Sequence, residues 1–184
     1  MKKQLFQSFI VFFLCLGVIF AGTSGFESYG ITENAGDPFT VKPYLVKVNL
    51  AQNIVTVYDK DASGAYTVPV KGFYCSVGDD TPTGGTYQIS DKYLWRALFG
   101  NVYGQYATRI TGHILFHSVP YEKPQKDKLE YWEYNKLGTK ASMGCIRLTV
   151  KDAKWIYDYC GTGTKVTFFS SNASEPIVPE KPVV

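Results

Sequence analysis

The chain is 184 residues long, 45% hydrophobic and 16% aromatic, with a formal net charge of +3. That is enough apolar material for one full core. The absence of any basic run interleaved with aromatics excludes a nucleic-acid partner. Two histidines and four scattered cysteines lack the paired ligand spacing of a zinc site, and nothing supplies a third and fourth donor.

In chain order, Lys2 and Lys3 precede an apolar run over 5–21 that is broken only by Gln7, Ser8 and Gly17, and small residues follow from Ala21 to Gly25. This layout predicts a secretory signal peptide over 1–25. An N-terminal membrane anchor is the alternative, because the run is nearly long enough to span a bilayer. Either way the expected location is exported, at the cell wall or outside the cell. Cys15 follows bulky Leu14, which argues against lipidation. Segment 26–41 has no periodicity and reads as a linker to one domain over 42–170. Residues 44–50 and 54–58 are β-branched and alternating, joined by Ala51-Gln52-Asn53 as a hairpin. Residues 59–65 form a turn, 66–76 a third strand, and 79–85 a loop of turn formers. Further strands are expected at 86–90, 106–111, 114–119 and 165–169. Segment 126–137, charged and aromatic, is a short helix or an ordered loop. Over 150–160, Val150, Ala153, Ile156 and Tyr157 share one helical face, with Gly161 as a stop. The Pro-, Ser- and Glu-rich segment 171–184 is expected to be a disordered tail. Many short strands and one late helix predict a mostly-β sandwich or barrel.

Beyond the leader the cysteines are Cys75, Cys145 and Cys160. The odd number leaves at least one thiol unpaired within the monomer. A Cys75–Cys160 disulfide and a pair of ordinary buried thiols both fit the spacing. Cys145 stands in Ser142-Met143-Gly144-Cys145-Ile146-Arg147-Leu148, and both histidines stand in Gly112-His113-Ile114-Leu115-Phe116-His117-Ser118. A cysteine nucleophile needs a base, and such partners meet in space rather than in sequence. Cys145 is therefore the candidate nucleophile. His117 is the candidate base, with an ordinary pKa near ~6.5 that suits proton transfer at neutral pH. Gly144 is expected to let the chain turn tightly, so that the backbone amides of Met143, Gly144 and Cys145 can face a developing oxyanion. Arg147 either pairs with a substrate carboxylate or braces the loop. His113 is either a substrate contact or a structural histidine. For Trp95, Tyr103, Tyr106, Tyr121 and Trp132, core packing is expected over lining a cleft.

Phe116-His117-Ser118, followed by Cys145 in Ser142-Met143-Gly144-Cys145-Ile146-Arg147-Leu148, resembles the catalytic core of the L,D-transpeptidases, the YkuD domain family. Thr81-Pro82-Thr83-Gly84 after Ser76-Val77-Gly78 resembles that family's Thr-Pro-x-Gly loop. The resemblance runs in order over roughly 43–169. Met143 departs from it, standing where the family usually has a second histidine. What the resemblance implies is a YkuD-like β-sandwich, with the backbone carbonyl of Ser118 orienting His117 and no metal or organic cofactor. The implied substrates are peptidoglycan stem peptides, joined 3→3 through a Cys145 thioester, and carbapenems are implied as covalent inhibitors. With water as acceptor the same chemistry gives an L,D-carboxypeptidase, and with a protein amine it gives wall attachment. The rival from another class is a non-catalytic wall-binding module. A papain-like protease is disfavoured, because that family places its cysteine ahead of its histidine.

Overall fold

The computed structural model describes residues 43–182. The expected signal peptide over 1–25 and linker over 26–41 lie outside the described residues. In chain order the strands are β1 (Leu45–Asn49), β2 (Ile54–Lys60), β3 (Tyr66–Tyr74), β4 (Val77–Gly78), β5 (Gly85–Gln88), β6 (Lys92–Ala97), β7 (Tyr103–Thr111) and β8 (Ile114–Ser118). A 3-10 helix (Tyr131–Lys136), β9 (Lys140–Ser142), β10 (Ile146–Leu148), helix α1 (Val150–Tyr159) and β11 (Lys165–Phe169) complete the described elements.

Alternation puts Val46 and Val48 of β1 and Val55 and Val57 of β2 into the core. Asn53, at φ +54, closes the hairpin between them. β3 extends this pair on one side. On the other side β11 joins β1 in parallel, and β5 joins β11. The result is a five-stranded sheet ordered β3-β2-β1-β11-β5. A four-stranded sheet ordered β10-β8-β7-β6 carries the two stretches that hold Cys145 and His117, and β4 pairs with β9 beside it. Phe116, Ile146 and Leu148 of the second sheet share one buried cluster with Val46, Val57 and Phe168 of the first. The fold is thus the expected mostly-β sandwich with one late helix.

Helix α1 starts where Thr149 Oγ1 accepts from the Asp152 amide at 3.1 Å and donates to the Asp152 carboxylate at 2.7 Å. The first of these bonds satisfies one of the amides that the first turn leaves orphaned, and the second holds the hydroxyl in place. Its Ala153 and Ile156 are fully buried. Trp155 stacks on Tyr44 and Phe73, tying the helix to the first sheet. The left-handed glycine after the helix is Gly163, at φ +87, and not Gly161.

Several expectations are corrected. β6 was not foreseen, because most of its residues are exposed or half-exposed and it shows no core-facing alternation. β7 begins at Tyr103, three residues before the expected start. Of the two readings left open for Cys75 and Cys160, the structure has the free buried thiols. Burial pushes the Cys75 thiol far up, and raises Cys160 to about 12. Of the tail expected to be disordered over 171–184, the described part is instead bound to the first sheet. Asn49 Nδ2 donates to Ser171 O at 2.9 Å and to Glu175 Oε1 at 2.6 Å, and Thr56 Oγ1 donates to Glu175 Oε2 at 2.9 Å. Its composition is poor in core residues, but Asn49 and Thr56 offer polar partners that the segment could not show by itself. Among the five aromatics, Trp95 and Tyr121 stack edge-on at 4.9 Å, Tyr106 packs on Tyr157, and Trp132 is exposed. None of the five lines the cleft described below.

Candidate active site

Strand β8 is buried at every residue, and β10 runs parallel to it with Arg147 beside His117 and Leu148 beside Ser118. Side chains paired across neighbouring strands project from the same face of the sheet. His117 and Arg147 therefore share the face turned from the core that Phe116, Ile146 and Leu148 fill. Cys145 immediately precedes β10, so this pairing brings the thiol to the histidine's end of the sheet. Cys145, His117, His113, Met143, Gly144 and Arg147 all line one cleft of about 480 Å³.

His117 is held from two sides. Its Nδ1 lies 2.5 Å from the Ser118 carbonyl oxygen. A carbonyl only accepts, so Nδ1 carries the proton and Nε2 presents its lone pair. Ser118 is itself fixed, its Oγ accepting from the Gln105 amide at 3.0 Å and donating to Val119 O at 2.7 Å. On the other side lies Gly104 of β7. A Cβ there would stand 2.9 Å from the Cβ, Cγ and Nδ1 of His117, so only glycine leaves room for the ring. Burial, opposed by the Ser118 bond and helped by the Arg147 charge, pushes His117 down to about 4. The imidazole is neutral at neutral pH, well below the value expected from sequence.

The loop that carries Cys145 is fixed through its carbonyls. Met143 O accepts from the Asp80 amide at 2.8 Å, Gly144 O from Thr81 Oγ1 at 2.7 Å, and Cys145 O from Ser142 Oγ at 2.6 Å. Thr81 Oγ1 also accepts from the Gly78 amide at 2.8 Å, so one hydroxyl joins the Thr-Pro loop to the nucleophile loop. Among the described residues, the amides of Met143, Gly144 and Cys145 donate no backbone hydrogen bond outside the strand ladders. Gly144 is required for a reason other than the expected tight turn. Its φ is not positive; a Cβ would lie 2.8 Å from Ile114 Cδ1 and 2.9 Å from Asp80 Cβ.

Cys145 Sγ donates to the His113 carbonyl at 3.4 Å, while the His113 side chain is exposed at the rim. Burial raises the thiol above its ordinary value, and the Leu115 amide and the Arg147 and Arg109 charges lower it in part. The pair therefore rests as thiol and imidazole, not as an ion pair. Arg147 Nη1 is bound to Glu133 Oε2 at 2.7 Å, and Glu133 also pairs with Lys136. Met143 is 55% exposed at the lip of the cleft. Among the described residues no three His, Cys, Asp or Glu side chains gather as a metal-ligand group.

A family model described as the L,D-transpeptidase catalytic domain, YkuD, matches residues 43–168. The chain belongs to this family. It is 40% identical over 116 residues to a Bacillus subtilis (strain 168) protein named "Putative L,D-transpeptidase YciB"; the match covers 59% of this chain and 58% of that one. Among solved structures it resembles a Clostridium acetobutylicum ATCC 824 protein described as a fused Zn-dependent amidase/peptidase/peptidoglycan-binding domain-containing protein. That likeness has 28% identity and a TM-score of 0.51, and covers 69% of this chain and 52% of the other. The L,D-transpeptidase from Mycobacterium smegmatis shares the fold at 20% identity and a TM-score of 0.54, over 70% of this chain and 59% of its own. The chain thus spans little more than half the length of these relatives.

Three residues of this L,D-transpeptidase domain escaped the sequence reading of the site. Gly104 had a signal, a glycine inside a strand-like run, which marks close approach of a neighbour. Thr81 was noted only as part of a loop motif. Glu133 had no signal, since its pairing with Arg147 joins segments that nothing in the sequence pattern connects.

Proposed function

We propose that this chain is an exported transpeptidase that cross-links peptidoglycan 3→3 through a Cys145 thioester, with His117 as base. The observation that carries the reading is one cleft holding Cys145 Sγ, an imidazole with Nδ1 committed to Ser118, and a loop held in place through its carbonyls. In a tetrapeptide stem, Sγ attacks the carbonyl of the third residue's L-centre at its bond to the terminal D-alanine. Nε2 of His117 takes the thiol proton as the C–S bond forms. Proton transfer within the attack suits two groups that rest uncharged. The oxyanion faces the amides of Met143, Gly144 and Cys145, and one such donor contributes about 2.7–4 kcal/mol to the transition state. The C–N bond then breaks, and His117 returns its proton to the departing amine. An amine of a neighbouring stem's diamino acid attacks the thioester and gives its proton to His117, which restores the thiol.

In this reading Arg147, bound by Glu133, braces the loop and sets the field at His117, while His113 contributes its carbonyl next to the thiol. Residues 1–25 direct export. Carbapenems acylate Cys145; support comes from LdtMt1, solved in complex with imipenem, which shares the fold at 19% identity and a TM-score of 0.53.

The test mixes purified protein, and separately its Cys145→Ala variant, with disaccharide-tetrapeptide and follows the products by mass spectrometry. A dimer lacking one D-alanine, absent with the variant, is the expected result. Tripeptide without dimer would make water the acceptor, and no product from either protein would sink the catalytic reading.

A further inference from the structure

Besides the histidines, four charged side chains line the cleft: Asp80, Arg96, Arg109 and Arg147. Two of the three cations are already matched. Arg147 is bound to Glu133 at 2.7 Å. Arg109 is bound to Asp91 at 3.0 Å, and also donates to Tyr93 Oη and Gly112 O. Arg96 is the lining cation that has no acidic partner among the described residues. Its guanidinium lies 4.8 Å above the Tyr93 ring, a contact that directs the head group without neutralising it. Asp80 stands on the other wall, its backbone amide bound to Met143 O, and makes no ion pair with Arg96.

The register places Arg96 usefully. It faces Gly104 across the β6–β7 pairing, so both project from one face of the sheet. The Gly104 position on that face abuts the His117 ring. Neighbouring strands are roughly 4.8 Å apart, so Arg96 stands one strand beyond the slot that holds the base. Leu98, Phe99 and Val102 line the cleft beside it. Arg96 and Phe99 are exposed, so the guanidinium stands at an open rim of the cleft that substrate can reach.

We propose that Arg96 is the specificity residue that binds the α-carboxylate of the amino acid on the amine side of the scissile bond. The proposal rests on the transpeptidase reading above. In such a stem the departing amine and the terminal carboxylate share one carbon, so the carboxylate lies three bonds from the carbonyl under attack. A guanidinium takes a carboxylate in a two-pronged, charge-assisted contact. A carboxamide or a longer chain offers no such charge and leaves the guanidinium without that contact. Arg96 thereby selects stems whose cleaved residue is terminal.

Binding is the test, because it is read without turnover. In the Cys145→Ala protein, calorimetry compares a tetrapeptide ending in D-alanine with the same peptide ending in D-alaninamide, for Arg96, Arg96→Gln and Arg96→Lys. With Arg96 the acid binds about tenfold more tightly than the amide, a difference of about 1.4 kcal/mol. Arg96→Gln brings the ratio close to one by weakening the acid alone, and Arg96→Lys restores part of it. An acid that does not bind, equal affinities with Arg96 present, or a ratio unchanged by Arg96→Gln overturns the proposal. An enzyme that binds the acid selectively but forms neither dimer nor tripeptide would instead overturn the transpeptidase reading.

Discussion

Replacing Gly104 by alanine tests whether the slot for His117, the proposed base, is built by β7. The new Cβ would lie 2.9 Å from His117 Cβ, Cγ and Nδ1 alike. Carbon–carbon contacts are comfortable from about 3.5 Å, so at least about 0.6 Å of movement is needed. Turning the ring does not supply it, since His117 Cβ is among the three atoms struck. Either β7 and β8 separate or the histidine shifts as a whole, and the second choice disturbs the 2.5 Å contact from Nδ1 to Ser118 O. Overpacking of this kind costs about 1–3 kcal/mol. A misplacement approaching 1 Å of a catalytic group costs up to about 100-fold in rate. The expected outcome is a drop of several degrees in Tm, at about 2–4 °C per kcal/mol, together with a 10- to 100-fold fall in kcat. Thermal denaturation and tetrapeptide turnover measure the two. Iodoacetamide alkylation of Cys145 serves as a control that the nucleophile loop is intact. An alanine protein with kcat and Tm both at parental values would refute the steric argument.

Three further outcomes are expected. His117 has a folded pKa of about 4 against an unfolded value near ~6.5, so the unfolded chain binds the extra proton first. Its contribution to stability is complete above pH ~6.5 and is lost as pH falls towards 4, reaching about 3 kcal/mol at about 1.4 kcal/mol per pH unit; denaturation of the parent and His117→Gln across pH 3.5–7.5 reads this, and an acid limb of kcat/KM near 6.5 would contradict it. Glu133→Gln leaves Arg147 without its anion and should cost about 1.5–3 kcal/mol. Adding Arg147→Met should recover part of that in a double-mutant cycle, and strict additivity would show that the ion pair carries no coupling. Glu175→Ala removes the acceptors of Asn49 Nδ2 and Thr56 Oγ1 and should cost about 1–3 kcal/mol by urea denaturation while Cys145 alkylation stays parental; unaltered stability would mean that the tail binds without these bonds.

Local rules are legible in this sequence. Alternation of β-branched residues determined β1, β2 and β11, and apolar residues at helical spacing determined α1, because each depends on residues within a few positions of one another. The two histidines and the Ser-x-Gly-Cys stretch marked the ends of the cleft for the same reason: their chemistry belongs to the residue types themselves. What only the tertiary structure decided is who stands beside them. The parallel joining of β1 to β11 and of β8 to β10, the slot that Gly104 leaves for His117, the Glu133 anion on Arg147 and the binding of the tail through Glu175 all link segments far apart in the chain. The low pKa of His117 belongs with them, since it comes from burial by the whole fold and the Arg147 charge, with only the opposing Ser118 bond supplied by a sequence neighbour. Periodicity is a property of a short segment, whereas burial and partner choice are properties of the surface that other segments bring to it.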